Sequence, residues 1–304
     1  MTGGRNSSAT SLASGRGPSD RKLVAPQLSY KEKKEVARLK IDRADVHFGY
    51  RPVRGSRQVF KIELQGEMRA AKMMSMLRLP KEAVSEVLET FDAELLALSR
   101  LSTPNIVKVY GASVRPGGEM IVVSEFVEGG TLRDLLDNTP KLKHLNTRMR
   151  LSIARDVAAG MKSLYAHGMQ HRHLSSKTVL LTNQLQAKVY GFGLSMTSEM
   201  LSYFNSNDED ERSEDDLLWE SREVLVGAGF SEKSDVYSFG IVLWEIMQAD
   251  GSLPYKGLRS HKVKTAKYNG EGPSIPRNTL PEISSLMESC WSNLPVNRPS
   301  FDKI

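Results

Sequence analysis

The chain has 304 residues, 39% hydrophobic and 26% charged, enough apolar material to bury a sizeable core, so a wholly disordered chain is excluded. Its one cysteine, Cys290, excludes a disulfide framework and a cysteine zinc site and suits a reducing, intracellular setting. The formal net charge is +6, but ten bases against four acids lie in residues 1–43, so the excess belongs to a tail and not to a nucleic-acid-binding domain.

Residues 1–30 are rich in Ser, Gly and Arg without apolar periodicity and read as disordered. An acid-poor, Arg-bearing start also suits an organelle transit peptide, although the first twenty residues show no amphipathic helix. The basic tail is suited to weak contact with an anionic membrane surface. No apolar run approaches the ~20 residues that cross a bilayer, and no hydrophobic signal core opens the chain; a soluble, cytoplasmic protein is expected. Residues 31–40 predict a short charged helix.

Regular patterns begin near residue 44. Val59–Leu64 alternates, Gln65-Gly66 punctuates, and Met68–Met73 resumes, which predicts a hairpin. After Pro80 a long helix presents Val84, Val87, Leu88, Phe91, Leu95, Leu98 and Leu101 on one face. Strands are expected over Ile106–Tyr110 and Met120–Ser124. Beyond Glu128-Gly129-Gly130 the chain turns helical: Thr131–Asp137, then about Asn146 to His167. Short strands follow at Val179–Leu181 and Ala187–Tyr190, and then a polar stretch from Ser195 to Arg222. Residues 233–248 are apolar all round and predict a buried helix, with shorter helices near 258–268 and 281–292.

Several spaced motifs in this order resemble the protein kinase superfamily, in particular its tyrosine-kinase-like branch, over about residues 44–304. They are Pro104-Asn105-Ile106-Val107, the run from Asp235 to Glu245, Cys290-Trp291, and Asn297-Arg298-Pro299-Ser300-Phe301. The resemblance implies an α+β, bilobal protein-kinase-like fold: a small, mostly-β N-lobe of about 44–127 with one regulatory helix, and a larger helical C-lobe of about 128–304. Residues 1–43 are expected to form the basic, disordered tail, and the family usually continues past the position of Ile304 into one more helix, as expected of a fragment of a longer chain.

The family's phosphoryl transfer rests on positioning and electrostatics, and the resemblance locates its parts. Lys72 matches the phosphate-reaching lysine and Glu94 its partner on the regulatory helix. Pro52, Arg54 and Arg57 stand at the three glycine positions of the phosphate-covering loop, where proline lacks an N–H and arginine crowds the space. In His171-Arg172-His173-Leu174-Ser175-Ser176-Lys177-Thr178, His173 replaces the catalytic aspartate and Thr178 the metal-holding asparagine. Gly191 replaces the aspartate of Asp-Phe-Gly. A positioned base contributes roughly 10²–10⁴ in rate, and magnesium wants carboxylate oxygen. The implied protein is a pseudokinase, a scaffold or allosteric partner for an active kinase or its substrates. The alternative is a divergent ATP-dependent serine/threonine kinase with weak residual activity and His173 as base.

The same resemblance places Val59, Ala70 and Leu180 around the adenine position and Ser124, Glu125 and Val127 on the hinge. Leu98, Val109, His171 and Phe192 form the regulatory apolar stack, anchored by Asp235, and Glu223 pairs with Arg298. Lys72 and the adenine shell favour ATP; the lost glycines and metal ligands oppose it, magnesium most of all. Asp208–Asp216 holds seven acids in nine residues, which suits a solvated, self-repelling loop, an acidic mimic docking on Arg172, or a contact with the basic tail. Ser213, flanked by acids, is a candidate phosphorylation target.

Overall fold

The computed structural model describes residues 27–52, 59–76, 81–115, 118–191 and 214–304. Phe192, the loop positions Arg54 and Arg57, and most of the acidic run lie outside the described residues.

Helix α1 (Tyr30–Arg38) begins at a capping box in which Ser29 and Glu32 satisfy each other's backbone N–H. Strands β1 (His47–Pro52), β2 (Val59–Leu64) and β3 (Glu67–Ser75) follow, then α2 (Lys81–Arg100), β4 (Val109–Val114) and β5 (Glu119–Glu125). These strands form an antiparallel sheet in the order β1-β2-β3-β5-β4. Gln65 (φ 53°) and Gly66 (φ 77°) both take positive φ, the two-residue turn that matches the twist of a β2–β3 hairpin. One sheet face carries Met74 and Met120 into a core shared with Phe91, Leu95 and Leu98 of α2. The other face buries Val46, Ile62, Ala71, Ile121 and Val123 in a smaller cluster.

The second lobe holds α3 (Leu132–Asp137), α4 (Thr139–Lys143), α5 (Thr147–Ala166), β6 (Val179–Leu181) and β7 (Ala187–Val189). Helices α6 (Arg222–Leu225), α7 (Glu232–Met247), α8 (Ser260–Tyr268) and α9 (Pro281–Cys290) complete it. Every residue of α7 from Ser234 to Ile246 is buried, which explains why its apolar pattern has no polar face. The result is a two-lobed α+β fold, sheet-rich in front and helical behind. No helix among the described residues is long and apolar enough to cross a membrane.

Two expectations change. The short charged helix expected over residues 31–40 is α1, but it is not part of a loose tail: it packs on α2 with Val36 buried, so the folded structure starts before residue 44. Ile106 and Val107 do not begin β4. Residues 105–107 exchange backbone bonds with β7 (Val189 N–H to Asn105 O, 2.8 Å; Val107 N–H to Val189 O, 3.0 Å) and so join the two lobes. The strand signal was real, but its hydrogen bonds go to a different partner.

The C-lobe is fastened by Arg298, whose side chain is 0% exposed and donates to both Glu223 oxygens at 2.5 and 3.1 Å and to the Lys233 carbonyl at 2.8 Å. Glu223 lies below its ordinary range: burial pushes the carboxyl up, and the Arg298 guanidinium together with local hydrogen bonds more than reverses this. Removing one partner of a buried pair strands the other charge. Glu223→Ala should therefore lower the unfolding free energy by about 3–5 kcal/mol, and Glu223→Ala/Arg298→Met by clearly less; urea unfolding of both variants checks this.

Candidate functional site

The cleft between the lobes is built from the sheet upward. Val59 pairs with Lys72, and Ala70 with Ser124, so Val59, Ala70, Lys72, Val122 and Ser124 share the face that also carries Met74 and Met120. Lys72 on β3 and Glu94 on α2 are both half-buried and both engaged by neighbours. Val109 pairs with Ser124 at the start of β4, and Leu98 and Val109 enter the same core. Leu180 lies on β6, bridged to Thr131 across the cleft floor. The half-buried Val127 follows the hinge.

Glu125 is placed differently from a simple ligand-facing residue. Its N–H donates to the Lys108 carbonyl (2.9 Å), and its carboxylate accepts from the Lys108 N–H (2.8 Å) and Lys188 Nζ (2.8 Å). The side chain therefore ties the hinge to β7.

The segment from His171 to Thr178 is held by a single carboxylate. Asp235, in the first turn of α7, accepts the His171 N–H (2.8 Å), the Arg172 N–H (2.9 Å) and the Tyr165 hydroxyl (2.5 Å). Burial pushes Asp235 up to about 6, against the pull of these donors. Arg172 adopts φ 65°, and its guanidinium reaches Gln170 and lies 5.9 Å from the Phe230 ring. His171 Nδ1 accepts the His173 N–H (3.2 Å), which leaves Nε2 as the protonated nitrogen, 3.0 Å from the Tyr190 carbonyl. Burial, with His173 beside it, drives His171 down to about 3, so this imidazole is neutral. It acts as a core group.

The positions expected to lack metal ligands come together here. Thr178 Oγ1 accepts the Ser175 N–H (2.9 Å) and faces the His173 (3.0 Å) and Ser175 (3.1 Å) carbonyls, so the hydroxyl closes its own loop. Gly191 sits at φ 81°, and a Cβ built there would lie 3.2 Å from Thr178 Cγ2. Gly191 and Thr178 are thus neighbours, with a methyl group between them in place of carboxylate and amide oxygens. Among the described residues no group of three or more His, Cys, Asp or Glu side chains is arranged to hold a metal ion. The residues at these positions do not fit magnesium, which wants oxygen ligands in near-octahedral array.

The sequence reading did not single out two buried groups of the second lobe, one of which, Glu245, braces this loop. Glu245 accepts from Ser176 Oγ (2.8 Å), Arg133 (2.8 Å) and Trp219 Nε1 (2.7 Å), and so joins α3, the 171–178 loop, the 219 region and α7. Lys267 is buried on α8 and donates to the Leu218 (2.9 Å) and Glu220 (2.5 Å) carbonyls, with its ammonium over the Tyr237 ring. The available signal for Glu245 was a charge inside a helix apolar on every side. Lys267 follows Val263 by one helical turn and is otherwise masked by the lysines around it.

Burial raises Glu245 from its ordinary 4.5 to about 7, against the Trp219, Arg133 and Ser176 donors. The folded state then binds this proton more tightly than the unfolded chain. Its contribution is full below about pH 4.5 and falls as pH rises through about 7. The stability of wild type minus that of Glu245→Gln should decline by up to about 1.4 kcal/mol per pH unit over this window. Urea unfolding across the range measures the slope; a flat difference contradicts it.

Residues 55–304 match the family model for protein tyrosine and serine/threonine kinase. The chain is 37% identical over 219 residues to a probable LIM domain-containing serine/threonine-protein kinase of Dictyostelium discoideum, covering 71% of this chain and 32% of that protein. It is 35% identical over 251 residues to the serine/threonine-protein kinase CTR1 of Arabidopsis thaliana, covering 81% and 29%. With the serine/threonine/tyrosine-protein kinase HT1 of Arabidopsis thaliana it shares 32% over 239 residues, 77% and 58%. The chain spans less than a third of the length of the first two relatives.

Proposed function

The chain belongs to the protein tyrosine and serine/threonine kinase family, and we propose that it works there as a pseudokinase, a binding scaffold or allosteric partner for an active kinase or its substrates. The observation that carries this reading is the Thr178–Gly191 contact: neither residue offers an oxygen free to clamp a divalent cation. Phosphoryl transfer depends on metal neutralisation of the phosphates and on a base that orients the hydroxyl. His173 replaces the base, and its backbone serves the His171 and Thr178 hydrogen bonds. What remains intact is architectural: the Asp235 carboxylate, the Glu223–Arg298 pair and the buried α7. In this reading the chain is cytoplasmic, binds ATP weakly or not at all, and does not use magnesium.

A second reading, a divergent kinase with weak activity, draws support from relatives named as kinases and from Lys72 and Glu94 at kinase positions on β3 and α2. Substituting Lys72→Met separates the two: phosphotransfer by the wild type that this change abolishes supports the second and overturns the first.

Restoration offers the stronger test. Aspartate is among the residues that tolerate positive φ, and Thr178→Asn removes the methyl that would crowd a side chain at 191. The wild type should show no ATP-dependent rise in melting temperature that requires magnesium. Gly191→Asp/Thr178→Asn should gain one, of about 2.7 kcal/mol in stability where nucleotide reaches 100 times its Kd. A magnesium-dependent shift in the wild type, removed by EDTA, sinks the proposal.

A further inference from the structure

We propose that residues 29–41 form a strap, docked in cis, that sets the position of α2, and that the edge of β4 with the adjoining face of α2 is the surface it occupies. Strand β4 is an edge of the sheet, and an unpaired edge is a template for another segment. Here the template is filled: the Ala112 N–H donates to the Leu39 carbonyl (2.9 Å), and the Ile41 N–H to the Ala112 carbonyl (2.8 Å), a parallel bridge centred on Lys40. Gly111 is what permits it. A Cβ at 111 would lie 2.2 Å from the Leu39 oxygen and 3.0 Å from Ile41 Cδ1.

The strap grips α2 at two heights. Arg100, in its last turn, pairs with Glu35 at 2.7 Å and lies 3.9 Å from Glu32. Nearer the middle, Lys40 pairs with Asp92, and its ammonium lies over the Phe91 ring at 5.5 Å. Asp92 is two residues from Glu94, the residue on which α2's position bears. Exposed pairs of this kind are individually weak, so they fix register, while the backbone bridge and buried Val36 do the holding. The strap precedes residues 55–304, the part that matches the family model.

Full-length Gly111→Val should expel the strap. Tryptic cleavage at Lys31, Lys33, Lys34 and Arg38 should speed up by about tenfold or more, and amide exchange over residues 84–100 should rise by a similar factor, with α5 unchanged. Val36→Asp, which leaves the sheet untouched, should reproduce both effects. Arg100→Glu should loosen α2 in the same direction, and adding Glu35→Arg should restore it. Exchange in α2 that stays at the wild-type rate while the strap is cleaved freely overturns the proposal. So does loss of α5 protection in both Gly111→Val and Val36→Asp, or failure of the charge swap to restore protection.

Discussion

The structure turns on one buried carboxylate. Asp235 sits in the first turn of α7, where the helix dipole favours negative charge, and takes two consecutive backbone N–H groups from His171 and Arg172 together with the Tyr165 hydroxyl. Binding two successive donors holds Arg172 in left-handed geometry and directs the His171 ring into the core. From there Nε2 reaches Tyr190, the residue before Gly191. A single side chain thereby positions two backbone segments on the second lobe's side of the cleft: the 171–178 loop through its amides, and the end of the β7 segment through histidine.

In the proposed pseudokinase, that arrangement lets the chemistry go while the architecture stays. The groups that hold Asp235, Glu245 and Arg298 in place do not include Thr178 or Gly191, so the ligand loss proposed at those two positions leaves these anchors undisturbed. Thr178 is well suited to the altered loop, since its hydroxyl satisfies the Ser175 N–H and meets two carbonyls. Gly191 occupies a positive-φ position without strain. A buried polar group is costly when unpaired, and here the substituted residues are satisfied internally. The site is built as a stable piece of fold.

Much of this was legible in the chain. The β2–β3 hairpin follows from alternation around Gln65-Gly66, and α7 from a stretch with apolar residues on every side of the helix, all of it buried from Ser234 to Ile246. The Glu223–Arg298 pair was implied by the resemblance to the kinase family. Other features were not legible because their cause is tertiary. Ile106 and Val107 carry strand-forming side chains, yet their backbone pairs with β7, a choice made by lobe packing. The helix of the strap was legible but its docking was not, because its hold depends on a glycine seventy residues away and on an acid and a base of α2. Glu125 reads as a hinge residue, but only the fold brings Lys188 to its carboxylate.

The account rests on the claim that the Thr178–Gly191 pair cannot clamp a divalent ion between protein and nucleotide. Manganese is the most direct reporter, because its paramagnetic resonance changes when the ion is immobilised. Titrating full-length protein into Mn²⁺–ATP should leave the spectrum of the free complex unchanged. A bound-manganese signal that grows with wild-type protein and disappears when ATP is withdrawn would contradict the account.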